Sequence, residues 1–526
     1  MDYNYIDYTF EAKESAVALV LKDGVLRFVF TEERYTRKKY DNNFPFHAIV
    51  KLSSVIDRGI LLCHDVNDKD RVNFFKIYFP DILIKNPINY YHHLLHCYES
   101  FYTSGFDRAA VLVVDGYGND DGNDVESISL YHKIKRETKL IKKYYKKDSI
   151  GCFYGYGCSV LGFKKEQEGH FMGLSSYGIP YKKRYVRFVD GNMEMNYPVE
   201  GDENFIEDHN SINCINSLNF AATIQRDTTE CLIGLVKYIK DLTGEDNLCL
   251  SGGVFNNVLA NNAICESGIF KNVWCSPAPG DYGLTVGKVY LTYENSTPDE
   301  KLTSKRLKDA YLGEEYTDDM ILDFLKKFSI EFNEVGIDEV ADLLVNDRVI
   351  AWFQSRSEYG RRALGHRSIL CNPMYRKNYK RVSKNIKNRA PYRPLACTVP
   401  NELFDLLFDV KNKDLTEFML RGIVIREEMR DKISACCAID NTTRPQNLRR
   451  EVNPELYDVI MDFYKKTGIP AVVNTSLNGG GEPIVESLKD LFVFVKDKED
   501  IDFVVLNGKY LVSCEFVRKF SAGMSF

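Results

Sequence analysis

Residues 92–118 place a histidine-rich helix, a buried strand and a glycine turn directly one after another. His92 and His96 lie one helical turn apart on the same face, the spacing at which two imidazoles can hold one metal ion. The apolar strand 109–114 ends at Asp115-Gly116, a small turn where backbone amides can approach a phosphate closely. This stretch predicts metal and nucleotide chemistry next to each other, although histidines that only pack or cap carbonyl groups would have the same spacing.

A buried strand followed by an Asp-Gly turn occurs twice in the chain. Residues 15–24 read SAVALVLKDG and residues 108–116 read RAAVLVVDG. Two such units about 90 residues apart indicate one supersecondary element used twice, as expected of the actin/hexokinase-like ATPase fold. We therefore predict an α/β chain whose duplicated, actin-like N-terminal domain covers residues 1–300. The charged, turn-rich residues 294–319 mark the boundary to a second domain over residues 320–526.

Composition restricts the class of protein. The chain has 526 residues, enough for two or more domains, and its net charge of −6 argues against a protein that is basic throughout. Its 14 cysteines contain no C-x-x-C pair, which is typical of reduced thiols in a cytoplasm. Early acidic residues argue against a secretory signal, and no apolar run approaches the ~18 residues that span a bilayer. We expect a soluble cytoplasmic protein, located in the host cytoplasm if a phage encodes it.

Two further segments of the first domain carry turn and helix-start signals. Residues 248–262, LCLSGGVFNNVLANN, predict a strand, the tight turn Gly252-Gly253 and a helix whose exposed N-terminus suits a ribose and phosphates. Residues 276–287, SPAPGDYGLTVG, predict a loop that leads into another helix. This loop places Asp281 where a carboxylate could be the third ligand of the predicted metal site.

The second domain is rich in arginine and glycine. Residues 355–368, SRSEYGRRALGHRS, contain four arginines, whose planar forks suit phosphate or carboxylate oxygens held two at a time. Lys387, Arg389 and Arg393 extend this positive field. Residues 471–485, AVVNTSLNGGGEPIV, predict a buried strand that leads to a phosphate-binding loop. A solvated basic face and an ordinary flexible loop are the alternatives, but together the segments predict a highly anionic ligand.

A basic run at residues 132–147, HKIKRETKLIKKYYKK, interleaves lysines with Tyr144 and Tyr145. Such a run can hold a phosphate backbone while its aromatic rings stack on bases. If the chain binds DNA, we expect the contacts to come from Lys133 to Lys147. A solvated hairpin would show the same pattern, so the sequence leaves both interpretations open.

Taken together and in order, the motifs of this chain resemble those of the O-carbamoyltransferases of nodulation-factor and antibiotic biosynthesis. The motifs are EERYTRKK, HHLLH, VDGYG, MGLSSYG, SGGVFNN, PGDYG, SRSEYGRRALGHRS, RPLA, TRPQ and NTSLNGGGEPIV. The resemblance implies that the C-terminal domain is an α/β domain similar to threonylcarbamoyl-adenylate synthases. That domain would form carbamoyl-adenylate from carbamoyl phosphate and ATP with Mg²⁺. The N-terminal domain would then pass the carbamoyl group to an alcohol and release AMP.

By motif position, the resemblance also implies roles for individual residues. The metal ligands would be His92, His96 and Asp281; iron is the family's ion, although two imidazoles and one carboxylate suit Fe²⁺, Mn²⁺ and Zn²⁺ alike. The nucleotide of the first domain would contact Asp115, Gly116, Gly252, Gly253, Asn257 and Asn261. The site that forms the adenylate would contain Arg356, Glu358, Arg362, Arg367, Lys387, Arg393, Arg444, Asn474, Ser476 and Asn478. The residues expected to act in catalysis are Glu14, His93, Arg362, Lys387 and Arg393.

Three positions depart from the family pattern. The family usually has a histidine just before its first apolar strand, and the corresponding positions here are Lys13 and Glu14. If that histidine is the base that deprotonates the acceptor, Glu14 must replace it or the base lies elsewhere. A lysine that normally precedes the MGL motif is His170, and a proline within the arginine motif is Arg361. The first two changes concern the acceptor and its base, and all three leave the reaction class intact.

The sequence is consistent with three functions from different classes. The first is O-carbamoyl transfer, the second a threonylcarbamoyl-adenylate or tRNA-modifying enzyme, and the third a non-catalytic, actin-like ATP-binding scaffold. The scaffold would need neither the clustered histidines nor the arginines. For the transferase, the predicted acceptor is the hydroxymethyl group of 5-hydroxymethylcytosine, or of another 5-hydroxymethylpyrimidine, in DNA, as in phage-type members of the family. A sugar or natural-product hydroxyl is the alternative acceptor.

Overall fold

The chain divides into two compact units in the computed structural model. The structure describes residues 4–9, 15–56, 60–63, 69–85, 91–120, 122, 124–198 and 214–520. The first unit contains Met1–Glu32 and Asn42–Leu307, and the second contains Glu33–Asp41 and Lys308–Phe526. Glu14, the predicted replacement for the family histidine, lies outside the described residues. None of the helices described is long and apolar enough to cross a membrane.

The first unit contains two five-stranded sheets. The strands of the first sheet are β1 (Asn4–Thr9), β2 (Ala16–Val20), β3 (Leu26–Thr31), β4 (Ile60–Cys63) and β5 (Leu83–Lys85). The strands of the second sheet are β6 (Arg108–Val114), β7 (Glu126–Ile134), β8 (Glu137–Tyr145), β11 (Asn247–Ser251) and β12 (Asn272–Cys275). A separate hairpin pairs β9 (Val186–Val189) with β10 (Asn192–Met195).

Both sheets have the same topology. In each, the first three strands form an antiparallel meander, and two later strands add in parallel on the other side of the first strand. The orders β3-β2-β1-β4-β5 and β12-β11-β6-β7-β8 are this one arrangement read in opposite directions. The predicted duplication of an actin/hexokinase-like unit is therefore confirmed.

The pairing of the two repeats needs a correction. The counterpart of β6 is β1, because each is the first strand of its sheet and lies between the meander and the parallel strands. Residues 15–24 instead contain β2 and the turn that leads to β3. All five residues of β2 are buried, as are six of the seven residues of β6, so the two strands have the same apolar pattern.

Helices cover both sheets of the first unit. They are α2 (Phe46–Ser53), α3 (Lys69–Tyr78), α4 (His92–Ser104), α5 (Ile150–Val160), α6 (Glu168–Ser175), α7 (Ile215–Thr243), α8 (Val258–Ser267) and α9 (Leu284–Ser296), whereas α1 (Glu32–Thr36) lies almost entirely in the segment that belongs to the second unit. Helix α4 packs against α9 and against strands β6 and β11. It is buried from Leu95 to its end because it has these neighbours on several sides. The histidine helix is therefore an internal element of the unit.

The second unit is built on one mixed, eight-stranded sheet. Its strands are β13 (Asn333–Glu334), β14 (Ile350–Phe353), β15 (Arg367–Cys371), β16 (Ala396–Pro400), β19 (Pro445–Leu448), β20 (Val472–Ser476), β21 (Phe503–Leu506) and β22 (Tyr510–Ser513), while β17 (Ile423–Val424) pairs with β18 (Thr442–Thr443). Its helices are α10 (Asp318–Lys327), α11 (Ile337–Val345), α12 (Arg376–Tyr379), α13 (Phe404–Leu407), α14 (Pro454–Thr467), α15 (Leu488–Lys496) and α16 (Cys514–Phe520). The strand order is β13-β22-β21-β14-β15-β20-β16-β19.

The segment Glu33–Asp41, which contains most of the EERYTRKK motif, packs with the second unit. The guanidinium of Arg34 donates to the carbonyl of Glu358 at 3.1 Å, and that of Arg37 donates to the carbonyl of Ile484 at 2.7 Å. Nothing in the sequence pattern predicts these contacts, because the partners are far away along the chain. The motif therefore stabilises the arginine-rich and glycine-rich loops of the second unit.

Candidate functional site

Two histidines and two aspartates converge in the first unit. His92 and His96 come from the first two turns of α4, Asp115 directly follows β6, and Asp281 begins the turn that precedes α9. The Nε2 atom of His92 lies 3.2 Å from Asp115 Oδ2 and 3.4 Å from Asp281 Oδ1. The corresponding distances from Nε2 of His96 are 3.6 and 3.8 Å. The structure thus brings the three predicted metal ligands together and adds Asp115 to them.

This cluster fits a divalent cation. One potential ligand atom from each of the four residues lies within 4.8 Å of all the others. The two Nε2 atoms face each other at 3.2 Å, so at least one must present a lone pair to the other. Two imidazole nitrogens and two carboxylate oxygens suit Fe²⁺, Mn²⁺ or Zn²⁺. From the sequence, Asp115 is predicted to contact the nucleotide. Its position directly after a strand is the one sequence feature that indicates a role as a metal ligand.

The histidines and aspartates of the cluster shift one another's pKa values. Burial lowers the pKa of His92, but its hydrogen bonds to Asp115 and Asp281 outweigh burial and raise the pKa to about 10. Burial raises the pKa of Asp115, but hydrogen bonds to His92 and His96 hold it well below its usual range. The two carboxylates therefore require positive charge beside them. A divalent cation bound there would supply that charge in place of the histidine protons.

Asp115 connects this cluster to the glycine turns. While its Oδ2 faces the histidines, its Oδ1 accepts a hydrogen bond from the backbone amide of Gly116 at 2.8 Å and from that of Gly253 at 3.3 Å. Gly252 has φ +102°, and a Cβ atom there would lie 2.2 Å from the carbonyl oxygen of Val114. Only glycine permits this approach of the ends of β6 and β11. The turn residues predicted for the nucleotide therefore lie against the candidate metal site.

Asn257 and Asn261, also predicted as nucleotide contacts, are engaged within the unit. Asn257 caps α8 by accepting from the amide of Ala260 at 3.1 Å. The side-chain amide of Asn261 donates to the carbonyl of Phe255 at 2.8 Å. Both side chains therefore shape the loop that follows Gly253.

Ser251 and Glu99 orient His96 through a chain of hydrogen bonds. Its Nδ1 atom lies 3.1 Å from the hydroxyl oxygen of Ser251, and that hydroxyl lies 3.3 Å from Glu99 Oε2. All three side chains are fully buried. Burial raises the pKa of the Glu99 carboxyl to about 7, although hydrogen bonds to serines partly oppose this shift. A hydrogen bond from Nδ1 leaves the lone pair of Nε2 directed at the cluster.

His93, predicted to act in catalysis, lies outside the four-residue cluster. Its ring is fully buried, and its Nδ1 lies 2.8 Å from the hydroxyl oxygen of Ser129. Its backbone amide donates to Glu126 Oε1 at 3.1 Å. Burial lowers the pKa of His93 well below its usual value, and the nearby His96 lowers it further. The imidazole of His93 is therefore neutral.

Several cations gather in the second unit. They are the buried Lys387 and the half-buried arginines Arg361, Arg362, Arg389, Arg393 and Arg444. Burial lowers the pKa of Arg362 well below its usual value, and the charges of Arg444, Arg361 and Arg393 lower it further. Within the described part of the chain, the buried Nε atoms of Arg362 and Arg444 have no hydrogen-bond partner. A group of neighbouring cations, two of them with an unpartnered buried Nε among the described residues, is a candidate site for a polyanion.

Lys387 binds the glycine-rich loop directly. It follows the π-helical segment Lys380–Ile386, a conformation often found at functional sites. Its ammonium donates to the carbonyl of Asn478 at 2.9 Å and to its side-chain oxygen at 2.6 Å, and it also contacts Ser476. Burial lowers the pKa of Lys387 well below its usual value, and the charges of Arg389 and Arg393 lower it further. Lys387 therefore holds the loop next to the arginines.

Three residues predicted for the adenylate site form hydrogen bonds with backbone groups of the second unit. Glu358 Oε1 accepts hydrogen bonds from three backbone amides between Leu364 and Arg367, at 2.8 to 3.1 Å. The guanidinium of Arg367 is fully buried and donates to the carbonyl of Gln354 at 2.6 Å, among others. Arg356 donates to two carbonyls at 3.0 and 3.2 Å. These side chains shape the loop that carries Arg361 and Arg362.

The basic run forms the hairpin of β7 and β8, and the structure corrects its predicted contacts. Lys133 is fully buried, and its ammonium lies 2.8 Å from Glu294 Oε2, so it cannot reach DNA. Tyr144 is also buried, and its hydroxyl donates to the carbonyl of Gly191 at 2.8 Å, so its ring cannot stack on a base. Lys142 contacts the same carbonyl. The exposed lysines of this run, hereafter the hairpin lysines, are Lys135, Lys139, Lys146 and Lys147.

Comparisons with known proteins identify family models and relatives that this chain resembles. The family model for the carbamoyltransferase N-terminus matches residues 71–289, and the model for the carbamoyltransferase C-terminus matches residues 341–513. Nodulation protein NolNO of Sinorhizobium fredii is 28% identical over 445 residues, which cover 80% of this chain and 63% of NolNO. The uncharacterized protein MJ1051 of Methanocaldococcus jannaschii is 30% identical over 543 residues, which cover 96% of this chain and 98% of MJ1051. The 3'-hydroxymethylcephem-O-carbamoyltransferase of Amycolatopsis lactamdurans is 29% identical over 258 residues, which cover 49% of this chain and 47% of that enzyme.

Proposed function

The chain belongs to the carbamoyltransferase family, and from that premise we propose that it is an ATP-dependent O-carbamoyltransferase that uses carbamoyl phosphate. The proposal rests on the side chains that gather at the candidate site of each unit. The second unit gathers cations, two of which, Arg362 and Arg444, have buried Nε donors without a partner among the described residues, and the first unit gathers the ligands for a divalent cation. A non-catalytic scaffold would need neither arrangement. A threonylcarbamoyl-adenylate enzyme would use bicarbonate and threonine in place of carbamoyl phosphate.

The balanced reaction has three steps. Water cleaves carbamoyl phosphate to carbamate and phosphate. A carbamate oxygen attacks the α-phosphorus of ATP with Mg²⁺, the bond to the β-phosphate breaks, and pyrophosphate leaves carbamoyl-adenylate behind. The alcohol oxygen then attacks the carbamoyl carbon, the bond from that carbon to AMP breaks, and the alcohol proton passes to a base. The products are the carbamate ester, AMP, pyrophosphate and phosphate.

In the second unit, the arginines would bind the phosphates and stabilise the charge that develops when pyrophosphate leaves. Arg362 and Arg444 are the strongest candidates because their buried Nε atoms have no partner in the described part of the chain. Arg393 contributes to the same positive field, since its charge lowers the pKa of Arg362. Lys387 would keep Ser476 and Asn478 in place beside the phosphates.

In the first unit, His92, His96, Asp115 and Asp281 would hold Fe²⁺, Mn²⁺ or Zn²⁺. A metal bound there would polarise a carbonyl or phosphoryl oxygen. The protein's own contribution is the orientation of the ligands, through the hydrogen bond between His96 Nδ1 and Ser251. Glu14 remains our candidate for the base that takes the proton of the alcohol.

For the acceptor, we propose a hydroxymethyl group on a heterocyclic ring, with 5-hydroxymethylcytosine in DNA as the first candidate. The name of the Amycolatopsis relative describes an acceptor with a hydroxymethyl group. Exposure of the hairpin lysines supports a polyanionic carrier such as DNA. A sugar or natural-product hydroxyl is the alternative. Offering hydroxymethylcytosine DNA, the free nucleoside and a panel of sugars, and following the mass gain of one carbamoyl group, would distinguish these acceptors.

The reaction itself is tested by supplying ATP with carbamoyl phosphate and measuring pyrophosphate and the carbamoylated alcohol separately. Arg362→Ala should abolish pyrophosphate release. Arg450→Ala is the matched control, since Arg450 is exposed and pairs with Asp458 at 2.9 Å, and it should keep full activity. His92→Ala should release pyrophosphate normally but fail to carbamoylate the alcohol. If His92→Ala stops pyrophosphate release as completely as Arg362→Ala does, the proposed division of the two reactions between the units is wrong.

A further inference from the structure

The two most exposed aromatic rings among the described residues lie beside candidate metal ligands. Tyr117 is 55% exposed and follows Asp115 by two residues, and Tyr91 is 53% exposed and directly precedes His92. The side chain of Tyr117 makes no hydrogen bond, ion pair or ring contact with another described residue. Neither ring is part of the core, so their shared position beside the cluster indicates contact with a ligand.

A hydrogen bond joins the segments that carry the two rings. The backbone amide of His92, next to Tyr91, donates to Asn119 Oδ1 at 2.7 Å, and Asn119 comes two residues after Tyr117. The segments also meet at the cluster, because His92 Nε2 lies 3.2 Å from Asp115 Oδ2. The rings therefore flank the cluster from the start of α4 and from the end of β6. Tyr91 and Tyr117 are hereafter the aromatic rim.

The backbone on both sides of Tyr117 is held in place. The carbonyl of Gly116 accepts a hydrogen bond from the Ser149 hydroxyl at 2.7 Å, and the amide of Gly118 donates to the carbonyl of Glu126 at 2.7 Å. A Cβ atom on Gly118 would lie 2.9 Å from Cγ of Glu126, so this turn is pressed against β7. An aromatic ring on a fixed backbone has few torsions to lose, and it offers a flat contact surface at low entropic cost.

The charges next to the rim indicate which part of an acceptor it could contact. Asp120 and Asp124 are exposed in the loop that follows Tyr117. Their Oδ1 atoms accept hydrogen bonds from the amides of Gly122 at 2.8 Å and Val125 at 2.7 Å, so both side chains bind their own turn. Negative charge here disfavours a phosphate group, whereas the face of a neutral heterocyclic ring can stack on a tyrosine. The rim therefore suits the ring of an acceptor and leaves the phosphates of any nucleic-acid carrier to the hairpin lysines.

We propose that the aromatic rim stacks on the heterocyclic ring that carries the hydroxymethyl group of the acceptor, and so directs this hydroxyl to the candidate metal cluster. Tyr117 provides the main stacking surface, because no other described side chain contacts its ring. Tyr91 adds a second contact, and the ammonium of Lys143 lies 5.8 Å from the centre of its ring. The inference rests on the proposed function, since it names the residues that recognise the acceptor of that reaction.

The test measures the binding of 5-hydroxymethyl-2′-deoxycytidine and the transfer of carbamoyl to it. Isothermal titration calorimetry gives the dissociation constant, and the mass gain of one carbamoyl group gives the transfer. Tyr117→Ala should raise both the dissociation constant and the KM for this nucleoside about 10- to 100-fold, the range expected when a base-stacking ring is removed. Tyr117→Phe keeps the ring and should behave as the wild type does. Pyrophosphate release from ATP and carbamoyl phosphate should be unchanged in both variants.

Further variants separate stacking from a general surface effect. Tyr91→Ala should weaken nucleoside binding in the same direction as Tyr117→Ala. Tyr375→Ala is the matched control: Tyr375 is 39% exposed and has the ammonium of Lys377 at 5.2 Å from its ring centre, but it belongs to the second unit. This control should bind the nucleoside and transfer carbamoyl as the wild type does. On hydroxymethylcytosine DNA, Tyr117→Ala should lose transfer by a factor similar to that on the nucleoside.

Each other outcome overturns the inference. If the wild type carbamoylates the nucleoside and both alanine variants of the rim bind it normally, the inference is wrong and the proposed function stands. The same holds if Tyr117→Ala loses transfer only on DNA, because the rim would then contact the DNA backbone. A changed oligomeric state of Tyr117→Ala, measured by light scattering, would make the rim a protein interface instead. A wild-type protein that carbamoylates only sugars, or that releases no pyrophosphate with carbamoyl phosphate, would refute the proposed acceptor or the proposed reaction, and the inference with it.

Discussion

Replacing Ser251 with alanine should weaken metal binding, although Ser251 is not among the proposed ligands. Its hydroxyl oxygen lies 3.1 Å from Nδ1 of His96, and both side chains are fully buried. Without that hydroxyl, the buried Nδ1–H of a metal-bound His96 lacks its partner, which costs ~1–3 kcal/mol. The metal-free ring can turn toward the carboxylates and avoid this cost. Since a tenfold change corresponds to about 1.4 kcal/mol, we expect the metal affinity to fall by about 10- to 100-fold.

The measurement is the dissociation constant of Fe²⁺, Mn²⁺ or Zn²⁺, obtained by competition with a chromophoric chelator. Ser129→Ala is the matched control, because Ser129 is equally buried and lies 2.8 Å from Nδ1 of His93, which is outside the ligand cluster. Both variants lose a buried serine–histidine hydrogen bond, so their folding stabilities should change similarly. Only Ser251→Ala should bind metal more weakly. Equal metal affinities in the two variants would refute the positioning role of Ser251.

Two further predictions concern the β7–β8 hairpin. If the hairpin lysines neutralise three or four phosphates of DNA, raising salt from about 50 to 200 mM should weaken DNA binding on the order of 10²-fold, and their charge reversal to glutamate should abolish this salt dependence. Fluorescence anisotropy measures both effects, and DNA binding that does not depend on salt in the wild type would contradict the DNA proposal. Lys133→Met should instead lower the free energy of unfolding by ~3–5 kcal/mol, because it leaves the buried Glu294 without its cation. Urea denaturation checks this loss, and an unchanged stability would contradict the role of the pair.

The features that follow from local periodicity could be predicted from the sequence. The duplicated α/β fold was predicted because apolar strands and Asp-Gly turns are local patterns, and the spacing of His92 and His96 requires only a helix. The carbamoyltransferase family was predicted from motifs along the whole chain and is confirmed. The role of Asp115 as a candidate ligand was missed, because it depends on where the end of β6 meets the start of α4. Such a meeting is set by tertiary packing, which no local pattern records.

The basic run shows the same limit for charge. Eight of its residues are lysine or arginine, and the sequence alone does not show which of them are buried. In the structure, the alternation of strand β7 turns Lys133 inward to Glu294, while Lys135, just beyond the end of that strand, is exposed. The inward lysine is tolerated because a carboxylate compensates it, and that partner is distant in sequence. A count of charges therefore overestimated the surface available to a polyanion.

The arginines of the second unit show what distinguishes a binding residue from a structural one. Arg362 and Arg367 belong to one motif and have the same chemistry. The guanidinium of Arg367 nevertheless donates to backbone carbonyls, and its Cζ atom lies 3.7 Å from the centre of the Phe353 ring. Arg362 instead keeps a buried Nε without a partner among the residues described. A buried donor that the protein does not satisfy must be satisfied by a ligand or remain costly.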